Sequence, residues 1–223
     1  VTATTPATPG MAHTLVFFGD SITEAGRRRP GGNALGEGYV RMIAERTSPA
    51  GIVNLGIGGD RVRDLRSRWN DVVAAQPDTL TVLIGINDVW RHFDRDDYTP
   101  PDAFAADLRT ILDGAHTRGT RAILMEPFLL PVEPGQWGWL SELEEKIGII
   151  NMLGTEYSTP VVPLSRLFIE AAAELDPADL APDGIHPSPR GHRLIADAWL
   201  AVAGRCPISK RSHPGHTARS STR

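Results

Sequence analysis

The chain has 223 residues, 41% of them hydrophobic and 22% charged, with a formal net charge of -4. That length and polarity allow one sizeable core, which fits one α/β domain and excludes a disordered body. The last 19 residues, RCPISKRSHPGHTARSSTR, hold five Lys/Arg and no acid, leaving 18 basic against 27 acidic residues elsewhere; a body this acidic argues against nucleic acid as the main partner, because phosphate binding needs a basic face.

In chain order, the lead VTATTPATPG is polar and lacks the basic-then-apolar order of a signal peptide. Leu15–Phe18 is a short apolar run that reads as a buried strand. Glu37–Thr47 follows with Tyr39, Val40, Ile43 and Ala44 at helical spacing. Ile52–Leu55 is a second strand, and Arg61–Gln76 a helix with Val62, Leu65, Trp69, Val72 and Val73 on one side. Leu80–Ile84 is the third strand, followed by a charged loop RHFDRDD. Asp102–His116, opened by Pro-Pro and an N-cap-like Asp102, is helical, with Phe104, Leu108, Ile111 and Leu112 in period. Ala122–Met125, the helix Trp139–Tyr157, Pro160–Val162 and the helix Arg190–Ala203 complete the set. Near-continuous apolar strands alternating with helices predict a parallel sheet covered on both faces. The domain is expected over 12–204, with 1–11 and 205–223 flexible.

No stretch approaches 18 apolar residues, so no transmembrane helix is expected and a cytoplasmic protein is the default. A leader removed before this numbering begins would leave the same sequence. The single Cys206 cannot form an internal disulfide or build a metal site.

Ligands of a parallel sheet bind beyond the carboxyl ends of its strands. Three such ends carry glycine and polar residues: Gly19-Asp20-Ser21, NLGIGGD and GINDVW. Ser21 would open the next segment, where free N–H groups favour developing negative charge. A serine hydroxyl needs a base. Of seven histidines, His186 stands out: it lies in PDGIHPSP before the last helix, with Asp183 three residues upstream. A carboxylate can hold and stabilise such an imidazole, although the bare pattern is also that of a surface loop. Gly58-Gly59 can expose a backbone N–H and Asn87 offers a side-chain amide, as acyl transfer requires for the oxyanion; the same residues also serve turns and helix caps. GIGGD is not a dinucleotide fingerprint, since Arg61 takes the place of the third glycine, and GDSIT is not the GxSxG elbow. There is no P-loop. Asp94, Asp96 and Asp97 share their loop with Arg91, His92 and Arg95, which favours a solvated charged loop over a metal site.

Together, GDSIT, NLGIGGD, GIND and DGIH resemble the blocks of the SGNH (GDSL) hydrolase family, in that family's order from Ser21 to His186. The resemblance implies a flavodoxin-like three-layer α/β/α sandwich with a parallel five-stranded sheet, and no metal or organic cofactor. It implies Ser21 as nucleophile, His186 and Asp183 as the other triad members, and Gly59 and Asn87 as oxyanion donors beside the Ser21 N–H. Asp20 then holds the turn. GDSITEAGRRRP, LGEGYV, VRDLRSRW and IGINDVWR look like the bacterial acetylxylan esterases of this family. That likeness implies acetyl removal from xylan-derived sugars, an activity found in those enzymes often inside the cell and in homo-oligomers; with no apolar stretch long enough to span a bilayer, no membrane insertion is expected. The pattern expects an aromatic before the triad acid, where this chain has Pro182. Trp90 either stacks on a sugar ring or packs inside. A lysophospholipase, thioesterase or arylesterase of the same family is the alternative, and a non-catalytic carbohydrate-binding protein a further one.

Overall fold

In a computed structural model, residues 13–47 and 51–205 are described. The lead over 1–11 and the tail from Cys206 onward lie outside the described residues, and Arg205 ends the last helix instead of opening the tail. Five parallel strands form one sheet: β1 (Thr14–Gly19), β2 (Gly51–Asn54), β3 (Thr79–Leu83), β4 (Arg121–Met125) and β5 (Val161–Val162), in the order β2-β1-β3-β4-β5. This is the flavodoxin-like order, in which the chain leaves β1 toward β2 on one side and β3 on the other. Gly19 pairs with Leu83 at the carboxyl end, so the crevice of that switch point opens next to Ser21.

Each strand sends alternate side chains into two cores. Leu15 and Phe17 face one layer, with Tyr39, Ile43, Phe168 and Trp199. Val16 and Phe18 face the other, with Val62, Leu65, Phe104 and Leu108. Burial on both faces is why the strands read as unbroken apolar runs rather than alternating ones. A polar residue in the middle of β3, Thr81, is satisfied inside the core by the Trp199 indole N–H at 2.9 Å.

The first layer is built from α2 (Tyr39–Thr47), α8 (Leu164–Ala172) and α10 (Pro189–Arg205). The second is built from α3 (Val62–Ser67), α4 (Trp69–Ala75), α6 (Pro101–Thr117) and much of α7 (Leu140–Glu156). Short helices α1 (Ser21–Glu24), α5 (Ile86–Arg95) and α9 (Pro177–Leu180), and a 3-10 turn over Pro134–Trp139, fill the carboxyl side.

Four expectations change. The helix expected over Arg61–Gln76 is two helices, broken at Arg68. The segment read as a charged loop around His92 lies largely in α5, and His92 Nδ1 meets Glu142 Oε2 at 2.8 Å. α6 starts at Pro101, with Asp102 inside its first turn rather than capping it. α8 and α9 were not foreseen. The acids considered for a metal are engaged otherwise: Asp97 with Arg61 and Arg63, and Asp94 with Arg91 and Arg95. Among the described residues no cluster of three metal-ligating side chains occurs, and no helix is long and apolar enough to cross a membrane.

Candidate active site

The last residue of β1 is Gly19, where any side chain would run into the Leu83 carbonyl and the Thr23 hydroxyl. Asp20 then caps α1: its Oδ1 accepts from the Ile22 N–H at 2.9 Å. Asp20 is fully buried, and burial pushes its carboxyl up to about 7, against the Ile22 N–H and the His186 ring, which pull it down. Its Oδ2 has no hydrogen-bond partner among the described residues. The cap leaves Ser21 as the first residue of the helix. Its Oγ stands 2.9 Å from His186 Nε2.

The loop before α10 delivers the other two groups. His186 Nδ1 faces Asp183 Oδ2 at 2.6 Å, while Asp183 Oδ1 accepts from the N–H groups of Ile185 (2.9 Å) and His186 (2.7 Å). Burial works against the Asp183 carboxylate, but the His186 ring and these two N–H groups hold it below its ordinary range. With Nδ1 turned to a carboxylate, the imidazole keeps its hydrogen there and leaves Nε2 free to accept from the Ser21 O–H. Gly184 makes the turn at φ +82, and a side chain there would strike the Leu130 carbonyl and Gln136. Leu130 N–H donates to the Gly184 carbonyl, and Gln136 Nε2 donates to the Asp183 carbonyl at 2.7 Å. The acid and the histidine thus sit on a loop pinned from both sides.

The glycine loop after β2 lies against Ser21: a Cβ built on Gly58 would come within 3.7 Å of the Ser21 Cβ. Gly59 is at φ +86, which glycine adopts without strain. The loop is fixed at several points. Ile57 N–H donates to the Gly19 carbonyl at 3.0 Å. Gly58 N–H donates to Glu24 Oε2 at 2.6 Å. Asn87 Nδ2 donates to the Asp60 carbonyl at 3.0 Å, using one of its two hydrogens. Arg68 donates to Asp60 Oδ2 (2.6 Å) and to the Gly19 carbonyl (3.1 Å) while lying over the Phe18 ring. Burial raises the Asp60 carboxyl, and Arg68 opposes the rise.

Ser21 and His186 open on a cleft of about 580 Å³ whose walls include Glu24, Arg29, Glu37, Pro187 and His192. The His192 ring, pushed down to about 4 by burial and the nearby His186, stays neutral and accepts from the Tyr39 N–H at 3.3 Å. On another side of His186, the Trp90 ring stands edge-on at 6.3 Å. The structure therefore brings Ser21, Asp183 and His186 into one hydrogen-bonded row, with the Gly59 loop and Asn87 joined beside them. Glu24 and Arg68 were missed. The offset of Glu24 from Ser21, a single turn of a short helix, was the one available signal.

The chain belongs to the GDSL-like lipase/acylhydrolase family, whose model matches residues 17–194. It is 36% identical over 211 residues to an acetylxylan esterase of Geobacillus stearothermophilus, covering 87% of this chain and 95% of that one. Two solved structures of catalytic mutants of Axe2, an acetylxylan esterase from that organism, are also similar. The serine-to-alanine mutant superimposes with a TM-score of 0.79 at 35% identity, covering 87% of this chain and 95% of the other. The histidine-to-alanine mutant gives 0.79 at 33% identity, covering 92% and 99%.

Proposed function

We propose that the protein is a serine acetylesterase that removes acetyl groups from xylo-oligosaccharides through an acyl-enzyme. The observation that carries this reading is the Ser21–His186–Asp183 row, with contacts of 2.9 and 2.6 Å, in a chain of an ester-hydrolase family. The Axe2 mutants named catalytic mark a serine and a histidine as essential in a relative acting on acetylated xylan.

In the first half-reaction Ser21 Oγ attacks the acetyl carbonyl carbon as His186 Nε2 takes its proton. Asp183 holds the imidazole and stabilises it when charged. The oxyanion is met by the Ser21 N–H at the start of α1, by the Gly59 N–H and by the second hydrogen of Asn87 Nδ2. His186 then protonates the sugar alkoxide as it leaves. Water, activated by the same imidazole, attacks the acetyl-serine and releases acetate. The charged walls of the cleft, Glu24, Arg29 and Glu37, support a hydroxyl-rich substrate over a long acyl chain, which needs an apolar groove.

The test is a pair of assays: acetyl against octanoyl esters of one leaving group, and acetylated xylo-oligosaccharides with the products mapped by NMR. Faster acetyl turnover with acetate released from the sugar is expected. Preference for octanoyl, or no release from the oligosaccharides, contradicts the reading and favours a lysophospholipase or arylesterase.

A further inference from the structure

We infer that the aromatic strip Trp90, Trp139 and Phe93, with the exposed Trp137 on the same 3-10 turn as Trp139, is a carbohydrate subsite that holds sugar rings beyond the one being deacetylated. The inference rests on the esterase reading for its direction: the leaving oxygen takes its proton from His186, so the sugar that carries it must lie against that ring, and Trp90 is the ring's aromatic neighbour. From there the strip runs outward. Trp90 meets Trp139 at 6.0 Å between centroids, and Trp139 stacks on Phe93 at 5.6 Å and 20°.

The outer members are turned to water. Trp137 is 64% exposed and Phe93 45%. Large exposed apolar faces grouped together mark a binding surface, and the flat face of an aromatic ring suits the C–H face of a sugar. A polar donor lies on the strip, as sugar hydroxyls need: the Arg91 guanidinium, paired with Asp94, stands 4.7 Å over one face of the Trp90 ring.

The strip is also tied mechanically to the catalytic loop. Trp137 and Trp139 belong to the 3-10 turn Pro134–Trp139, and Gln136 of the same turn donates to the Asp183 carbonyl at 2.7 Å. Its Oε1 accepts from the Val132 and Glu133 N–H groups. One buried glutamine therefore fixes the turn that bears both tryptophans relative to Asp183 and His186.

The experiment is calorimetric titration of unacetylated xylohexaose, which is not turned over, into the wild-type protein and into Trp137→Ala and Phe93→Ala, with melting temperatures checked in parallel. Both side chains are exposed, so both variants are expected to fold. Binding by the wild type, weakened about threefold to tenfold in each variant, supports the subsite. No wild-type binding, or wild-type affinity in either variant, overturns it. A change of sedimentation mass with unchanged affinity also overturns it, since the strip is then a contact between copies of the chain. Acetate release from acetylated xylohexaose is measured alongside. Strip-dependent binding without release refutes the esterase reading and leaves the subsite standing; release without strip-dependent binding does the reverse.

Discussion

Glu24 Oε2 accepts a 2.6 Å hydrogen bond from the Gly58 N–H, so a side chain three residues beyond Ser21 holds the loop that carries Gly59. Ser21 and the Gly58-Gly59 loop come from different strand ends, β1 and β2, and this contact is one of those that tie them together. A hydrogen bond to a charged acceptor contributes about 1.5–3 kcal/mol. Glu24→Ala is therefore expected to lower kcat on p-nitrophenyl acetate by about tenfold or more. Glu24→Gln keeps an acceptor at the same reach and should recover most of the loss. Steady-state kinetics of both variants checks this, and an unchanged kcat in Glu24→Ala would separate the Gly58 loop from catalysis.

Arg68 and Asp60 form the pair beneath the same loop. Both side chains are largely buried, and Arg68 also serves the Gly19 carbonyl. Removing the cation strands a carboxylate that burial already disfavours. Arg68→Met is expected to cost about 2–4 kcal/mol, which for a chain of this size lowers Tm by roughly 5–15 °C. Adding Asp60→Asn should restore part of that loss, because no charge is then left unpaired. Thermal unfolding of the single and double variants decides it. A Tm for Arg68→Met equal to that of the wild type would show that the pair holds nothing in place.

Asp20 makes stability depend on pH in an unusual direction for an acid. Burial raises its carboxyl from 3.8 to about 7. Between those values the folded protein keeps a proton that the unfolded chain has released, so stability falls as pH rises through the window. Asn at this position still offers an oxygen to the Ile22 N–H and cannot ionise. Asp20→Asn is therefore expected to gain on the wild type as pH rises from about 5 to about 8. Denaturant unfolding at both ends of that range measures the difference, and an equal difference at the two ends contradicts the assignment.

The strands were legible because burial on both faces leaves mostly apolar residues in them. Leu15–Phe18 differs from Thr14–Gly19 by one residue at each end. α5 was lost to its charges: Ile86, Val89, Trp90 and Phe93 keep helical spacing, but Arg91, Asp94 and Arg95 made the segment read as a loop. α8 carried an equally readable spacing in Leu164, Leu167 and Phe168. The break at Arg68 could not be read, since the apolar period runs on through it from Val62 to Val73. At the site, strand-end placement pointed to Ser21, and the three-residue step from Asp183 to His186 suited a single loop. What spacing cannot name is a partner distant in the chain. Gly58 for Glu24 and the Asp183 carbonyl for Gln136 emerge only when the loops are folded against each other.

The central claim is that Ser21 is the nucleophile. Its most direct test is turnover of p-nitrophenyl acetate by Ser21→Ala, with Tm recorded on the same preparation. The Ser21 side chain enters the pinned site through its contact with His186, so the variant should keep its fold while kcat drops by about 10³-fold or more. A folded Ser21→Ala protein that turns over within about tenfold of the wild type contradicts the acyl-enzyme mechanism.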